Sequence, residues 1–244
     1  LEKAVLINKW WYRPEVLEDD DLEILRDDKE FIFLKSLSSS RYNEALSRSK
    51  PIFSWEEKTQ NNLFLAVHGN TQNAEIAKLD WSPVFSKNRE WQIETIQSGE
   101  VDGYGTCRWS YDMTSFLQVA KAMKEMEDKR YKKIACGGFS AGCDMLLRSI
   151  AFSDATCDLL LLQSPWLPIL KNSEEELCKT IKQKNIKVII FCGSNDKDCL
   201  LSAMEFYSTL KGKGAKTTFI LQASIYHQFP KDNYSINKLL EEDF

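Results

Sequence analysis

From about residue 62 onward, short apolar runs alternate with longer amphipathic stretches, and this alternation limits the possible folds more than any other feature of the chain. Such alternation is typical of βαβ units, in which helices connect parallel strands. Six runs have the length and composition of buried strands: 63–67, 91–96, 133–137, 159–163, 187–192 and 217–221. The sequence therefore predicts an α/β fold with a mainly parallel sheet of about six or more strands and helices on both faces.

The segments between these runs have helical spacing. Across residues 113–128, apolar side chains recur every three or four positions and leave charges on the opposite face. A second helix is predicted to begin at Ser140. Further helices are predicted at 174–183, 200–210 and 236–242.

The first sixty residues differ in character. Residues 22–37 are rich in charge and have helical spacing, which predicts a helical N-terminal appendage over 1–48, with the α/β domain over 49–244. Residues 14–31 resemble the closing helices of tetratricopeptide-type arrays, although no second copy is visible. The alternative is a helical pair packed on the α/β core, and either arrangement offers a surface for contact with another protein. Residues 36–60 are predicted to connect the two parts, with a strand at 51–55 as a further candidate.

Composition excludes several classes of function. A 244-residue chain with a net charge of −4 fits one large domain and lacks the basic signature of nucleic-acid binding. The longest apolar runs are far shorter than a bilayer span. The seven cysteines form no C-x-x-C pair, which is typical of a reducing compartment, so we expect a cytoplasmic protein.

One pentapeptide has the spacing of a catalytic nucleophile. The run Gly138-Phe139-Ser140-Ala141-Gly142 follows an apolar run and opens a helical stretch, which is the G-x-S-x-G pattern of a serine on a sharp strand-to-helix turn. A serine hydroxyl needs a histidine base, an acid that orients the base, and donors for the oxyanion. Ser140 is therefore predicted to be a nucleophile.

The chain has only two histidines from which to supply the base. His227 follows the last predicted strand, so it is expected at the sheet edge where Ser140 lies. A solvated or capping loop histidine is the alternative role for His227. His68 precedes the nucleophile and is predicted to be structural, with a base as its less favoured role.

Asp196 and Asp198 both follow the penultimate predicted strand, where the acid is expected. Asp196 is predicted to be the acid, three residues after Gly193, which lets the strand turn. Asp198 is the alternative, with a helix cap as its other role. The order Ser140, Asp196, His227 agrees with nucleophile, acid and base in α/β-hydrolases.

The backbone N–H groups of Ala141 and Asn70 are the predicted oxyanion donors, and Gly69 is predicted to give the Asn70 loop its tight turn. Aromatic and apolar side chains in two loops at the same edge could form an acyl or aryl pocket, or could simply pack on the core. Together with the oxyanion loop, these loops supply the predicted substrate-binding residues: His68, Gly69, Tyr104, Trp109, Trp166 and Leu167.

These motifs, taken in order, resemble the α/β-hydrolase superfamily, in particular small serine esterases of the carboxylesterase, lysophospholipase and depolymerase-like type. The resemblance covers about residues 50–244 and implies a carboxylic ester hydrolase with an acyl-enzyme intermediate. A peptidase or thioesterase would use the same residues, and a non-catalytic binding protein with this fold is the alternative from another class. No cofactor or metal site is predicted, because nucleotide-binding and zinc-binding patterns are missing from the sequence. The first two or three strands of larger members are not evident before residue 62.

Overall fold

The computed structural model describes residues 1–53, 57–85 and 90–230. In chain order the strands of this part are β1 (Ile52–Phe53), β2 (Asn62–Val67), β3 (Trp91–Gln97), β4 (Val101–Gly103), β5 (Thr106–Cys107), β6 (Lys133–Phe139), β7 (Leu159–Gln163), β8 (Lys187–Gly193) and β9 (Thr217–Gln222). The helices are α1 (Lys29–Arg48), α2 (Ala74–Phe85), α3 (Met113–Asp128), α4 (Ala141–Phe152), α5 (Leu170–Gln183) and α6 (Leu200–Gly212). All six predicted strands are present within one or two residues of their predicted bounds.

Seven of the strands form one sheet in the order β1-β3-β2-β6-β7-β8-β9. The pairs from β3 through β9 are parallel, and only β1 runs antiparallel, against β3. The predicted α/β class with a mainly parallel sheet is therefore confirmed. The carboxyl ends of β2, β6, β7, β8 and β9 meet at one edge, where Val67 pairs with Gly138 and Gly193 pairs with Gln222.

Both faces of the sheet are covered because the buried strands are apolar on both sides. Leu63, Leu65 and Val67 of β2 pack in the cluster that includes side chains of α3, α4, α5 and α6. Phe64 and Ala66 point to the other face, where they pack with Ala77 and Trp81 of α2. The helices thus lie on both faces, as predicted.

Most of the predicted helices are present at or near their predicted positions in the chain. The helix at 113–128 has the same bounds in the structure, and its start is capped by Asp112, whose carboxylate accepts a hydrogen bond from the Ser115 N–H. The other helices begin at Ala141, Leu170 and Leu200. The helix predicted at 236–242 and the last residues of the candidate strand at 51–55 lie outside the described residues. The small β4–β5 hairpin was not predicted.

The N-terminal segment is helical, but not as two short helices. Single helical turns precede one 20-residue helix, α1, which begins where the Asp28 carboxylate caps the Phe31 N–H. The prediction that 36–60 is a connector was wrong for its first part, because α1 continues to Arg48. Ser38 is tolerated inside this helix because it is buried and accepts a hydrogen bond from the Tyr12 N–H at 2.9 Å. The division into domains at residues 48 and 49 stays a prediction.

Candidate active site

Ser140 lies at the tip of the turn between β6 and α4. Its backbone has φ 51° and ψ −119°, and a positive φ of this kind is energetically costly for a residue other than glycine. A Cβ on Gly138 would lie 2.6 Å from the Cys143 nitrogen, and one on Gly142 would lie 2.5 Å from the Val67 oxygen. Both glycines are therefore needed for the close approach of α4 to β6 and β2, as the G-x-S-x-G pattern requires.

His227 reaches Ser140 from the loop that follows β9. Its Nε2 lies 2.9 Å from the Ser140 Oγ, and its Nδ1 lies 3.0 Å from Oδ2 of Asp196. A carboxylate only accepts hydrogen bonds, so Nδ1 carries the proton and Nε2 is left to accept the serine hydroxyl. The Phe139 ring, 5.3 Å from the imidazole between centroids, supports the histidine from one side. The three residues therefore form one hydrogen-bonded chain.

Asp196 is buried at this point, with 1% of its surface exposed. Its second oxygen, Oδ1, accepts a hydrogen bond of 3.2 Å from the Cys199 N–H, so the carboxylate is fixed at both ends. Asp198 is exposed and has no such contact. Asp196, rather than Asp198, therefore fixes the turn that leads into α6 and also faces the histidine.

The thiol of Cys199 was missed by sequence reasoning. Its Sγ lies 3.5 Å from Nδ1 of His227, and burial together with the neighbouring Asp196 charge holds the pKa of this thiol far above its usual value. Burial and the Asp196 charge also raise the pKa of Cys192 to about 12. The available signal was the spacing of Asp196 and Cys199, three positions apart in a turn that leads into a helix.

Around the elbow, two backbone donors are already engaged. The Ser140 N–H donates to the Gln163 oxygen at 3.0 Å, and the Cys143 N–H donates to the Ser140 oxygen at 3.0 Å. Ala141 is the first residue of α4, and N–H groups in a first helical turn have no acceptor within the helix. Asn70 follows the neighbouring strand β2, so both predicted donors lie on adjacent loops.

The Asn70 loop is fixed through its side chains. The Asn70 Oδ1 accepts from the Trp109 N–H at 2.8 Å, and its Nδ2 donates to the Tyr111 hydroxyl at 3.2 Å. Burial, with the Asp144 charge as a smaller cause, raises the pKa of Tyr111 to about 12, so this hydroxyl stays protonated. Gly69 acts here through its size, since a Cβ would lie 2.9 Å from the Phe139 ring.

His68 is completely buried beneath this loop. Its Nδ1 donates to the Gly69 oxygen at 2.7 Å, its Nε2 accepts from the Ser98 N–H at 3.1 Å, and its ring stacks on Trp109. Burial lowers the pKa of His68 to about 4, so it is neutral at pH 7. This agrees with the structural role. It disagrees with the substrate contacts predicted for His68 and Trp109, because neither side chain reaches the surface.

The remaining predicted substrate residues are spread over three environments. Trp166 is 43% exposed, and its backbone N–H donates to the backbone oxygen of Ser140 at 3.3 Å, so it lies beside the predicted nucleophile. Leu167 is buried in the core. Tyr104 is exposed but packs against Trp10 and Trp11, in the wall of a cavity of about 340 Å³. The structure therefore brings only Trp166 of these three directly to the elbow.

The loop that carries Trp166 is held by a buried ion pair. Asp144 of α4 accepts from Arg148 Nε at 2.5 Å and from the Ile169 N–H at 2.8 Å. Burial raises the pKa of Asp144, and Arg148 opposes this shift.

No helix in the described part of the chain has the length and apolar character needed to cross a bilayer.

This sheet order, with a serine elbow after its central strand β6, defines the class of α/β-hydrolase folds. Residues 1–46 match the family model described as A/B hydrolase-like, N-terminal domain. That match replaces the resemblance of this segment to tetratricopeptide arrays. No match was found among curated proteins.

Solved structures support the same class. The chain is similar to an uncharacterised protein from Bacillus cereus, with 26% identity and a TM-score of 0.64 over 99% of this chain and 77% of that one. It is also similar to esterase PE8, with 12% identity and a TM-score of 0.65 over 80% and 98% of the two chains. Acyl-protein thioesterase 2 from Zea mays has 16% identity and a TM-score of 0.55 over 80% and 98%. The chain therefore has the α/β-hydrolase fold, and the resemblance predicted from the sequence is confirmed at the level of the fold.

Proposed function

We propose that the protein is a serine hydrolase that cleaves carboxylic esters through an acyl-enzyme. One observation carries this proposal: Ser140, His227 and buried Asp196 form a continuous hydrogen-bonded chain, with spacings of 2.9 and 3.0 Å, at the strained turn after β6. These spacings are within the range for a nucleophile with its base and orienting acid. The partly exposed serine can meet a substrate from solvent.

In the proposed mechanism the Ser140 oxygen attacks the acyl carbon while His227 Nε2 takes the hydroxyl proton. Asp196 holds the imidazole in the tautomer that leaves Nε2 free and stabilises the imidazolium that forms. The backbone N–H groups of Asn70 and Ala141 donate to the carbonyl oxygen as it becomes an anion. His227 then gives its proton to the leaving alcohol. Water, activated by the same histidine, releases the acid and restores Ser140.

Two observations indicate which class of substrate the site would accept. Structures with this fold include an esterase and an acyl-protein thioesterase, and both ester classes suit the proposed chemistry. The exposed Trp166 beside Ser140 offers an apolar wall for an acyl or aryl group. Hydrolysis of a small-molecule ester is therefore the leading proposal. Thioester hydrolysis is the second, and peptide hydrolysis is the third because no comparison supports it.

The cellular compartment and the protein contacts are proposed on separate grounds. All seven cysteines are unpaired and buried, which suits a reducing compartment such as the cytoplasm. On the N-terminal segment, Ile24, Ile32 and Phe33 are exposed, so contact with another protein through this segment is proposed as well.

A fluorophosphonate probe tests the proposal directly. We expect stoichiometric labelling of the wild-type protein, loss of labelling in Ser140→Ala, and unchanged labelling in Ser208→Ala, which removes an exposed hydroxyl on α6. Failure of the folded wild-type protein to react would favour a non-catalytic protein. A panel of p-nitrophenyl esters, acyl thioesters and aminoacyl amides then separates the three hydrolase classes. Turnover of amides alone would replace the ester proposal.

A further inference from the structure

Three potential metal ligands lie together at the buried end of the candidate site. The ligand atoms of Asp196, Cys199 and His227 are all within 4.8 Å of one another. The hydrolase mechanism uses Asp196 and His227, but it gives no role to the Cys199 thiol.

Two of the three spacings between these atoms are close to those of a tetrahedral zinc site, and the third is within 4.8 Å. With Zn–S near 2.3 Å and Zn–N or Zn–O near 2.0–2.1 Å, tetrahedral angles place sulfur about 3.5 Å from nitrogen and oxygen about 3.3 Å from nitrogen. The observed distances are 3.5 Å from Cys199 Sγ to His227 Nδ1 and 3.0 Å from Asp196 Oδ2 to the same nitrogen. Small movements of the side chains would therefore admit the ion.

We propose that Asp196, Cys199 and His227 form a Zn²⁺ site, and that zinc bound there switches the hydrolase off. Thiolate and imidazole ligands favour Zn²⁺ over Mg²⁺ and Ca²⁺, which take oxygen ligands. A divalent ion also balances the charges of one carboxylate and one thiolate. The fourth position is left for water.

Access to this site is through the histidine. The Cys199 residue and the Asp196 side chain are fully buried, whereas the His227 side chain is 34% exposed in the loop after β9. An ion therefore approaches from the His227 side and is held by one partly exposed ligand and two buried ligands.

Zinc binding changes the tautomer that catalysis requires. The Cys199 thiol loses its proton to solvent, and the imidazole proton moves from Nδ1, now bound to zinc, to Nε2. Nε2–H cannot accept the Ser140 proton, so the nucleophile is no longer activated. The inhibitory half of this inference rests on the proposed function, whereas the metal site itself does not.

Cobalt titration of the intact chain tests the metal site without reference to activity. Co²⁺ is expected to give a thiolate-to-cobalt charge-transfer band in the wild-type protein and in Cys178→Ser, which removes a buried thiol from α5. The band should vanish in Cys199→Ser and Cys199→Ala, and circular dichroism verifies that the variants are folded. A band that persists in folded Cys199 variants, or no band in the wild type, would overturn the site.

Zinc competition completes the test. Zn²⁺ should remove the cobalt band and slow fluorophosphonate labelling of Ser140, with an inhibition constant at least about tenfold weaker in Cys199→Ser than in Cys178→Ser. If labelling fails at all zinc concentrations but the Cys199-dependent band is present, the proposed function falls and the metal site stands. If labelling is normal and zinc has equal effects on both variants, the zinc switch is wrong and the hydrolase stands.

Discussion

Asp196 and His227 are joined 3.0 Å apart at the buried end of the site, although 31 residues separate them in the chain. The turn after β8 holds the acid, and the loop after β9 holds the base. Because β8 and β9 are adjacent and parallel, the two loops necessarily emerge side by side.

Asp196→Asn should lower kcat by roughly 10⁴-fold with little change in KM, because an amide can present its NH₂ group to Nδ1 and reverse the tautomer. The measurement is steady-state hydrolysis of a p-nitrophenyl ester. Asp198→Asn is the matched control and should keep wild-type turnover, since this carboxylate is exposed. Loss of turnover in Asp198→Asn alone would reverse the assignment of the acid.

Gly142→Ala should destabilise the protein by about 1–3 kcal/mol, because the new methyl would lie 2.5 Å from the Val67 oxygen and 2.6 Å from the His68 oxygen. Both obstacles are backbone atoms, which cannot turn aside. Chemical denaturation measures the change in the free energy of unfolding. Gly212→Ala at the end of α6 has no atom within 4 Å of the added methyl and should be neutral or slightly stabilising. Equal effects of the two substitutions would contradict the crowding described at the elbow.

Arg148→Met should cost about 3–5 kcal/mol of stability, because it leaves the Asp144 carboxylate buried without its charged partner. Lys179→Met removes one member of an exposed pair with Glu176 and should cost at most about 1 kcal/mol. Urea denaturation of both variants gives the comparison. The Arg148 variant should also raise KM, since Asp144 anchors the loop of Trp166. A small, equal loss in both variants would count against a stabilising role for the buried pair.

Because His68 is buried in its neutral form, the free energy of unfolding should depend on pH. The pKa of His68 is about 4 in the folded protein and 6.5 in the reference state, so the unfolded chain binds the proton first as pH falls. The stability that neutral His68 contributes is fully present above pH 6.5 and is lost between pH 6.5 and pH 4, by about 3 kcal/mol.

The variant His68→Gln keeps an acceptor for the Ser98 N–H but does not titrate. The difference in unfolding free energy between the wild type and His68→Gln should therefore move by about 3 kcal/mol against the wild type from pH 7 to pH 4. Denaturation series at several pH values measure this difference. A difference that is constant with pH would show that His68 is not held neutral in the fold.

The strands and the three candidate catalytic residues could be predicted, because both follow from local features of the sequence. A buried parallel strand is an apolar run, and the residue after each strand must lie at the carboxyl edge. This placement, together with the G-x-S-x-G motif and the presence of only two histidines, led to Ser140, Asp196 and His227 as candidates. The choice between Asp196 and Asp198 needed the backbone of one turn, which the sequence does not specify.

Other features depend on contacts between distant segments. Ser38 reads as part of a serine-rich connector, but it lies within a helix because its hydroxyl bonds to Tyr12, 26 residues away. Trp109 in an aromatic loop reads as a pocket wall, yet its Nε1–H donates to the His68 oxygen and the ring is buried. In the sequence, Cys199 is one of seven cysteines to which no individual role was assigned. Its place beside His227 results from the pairing of β8 with β9.

The β4–β5 hairpin has neighbours on both sides. On one side the Tyr104 N–H donates to the Trp11 oxygen at 3.0 Å, and on the other the Cys107 N–H donates to the Gln72 oxygen at 2.7 Å. Gln72 lies two residues after Asn70, so the N-terminal segment and the Asn70 loop are joined through the backbone of this hairpin. A fragment cut after residue 48 would lose the contacts on one side of that hairpin. The N-terminal segment is thus a poor candidate for a detachable module, and expression of the remainder alone would test an altered candidate site rather than an intact one.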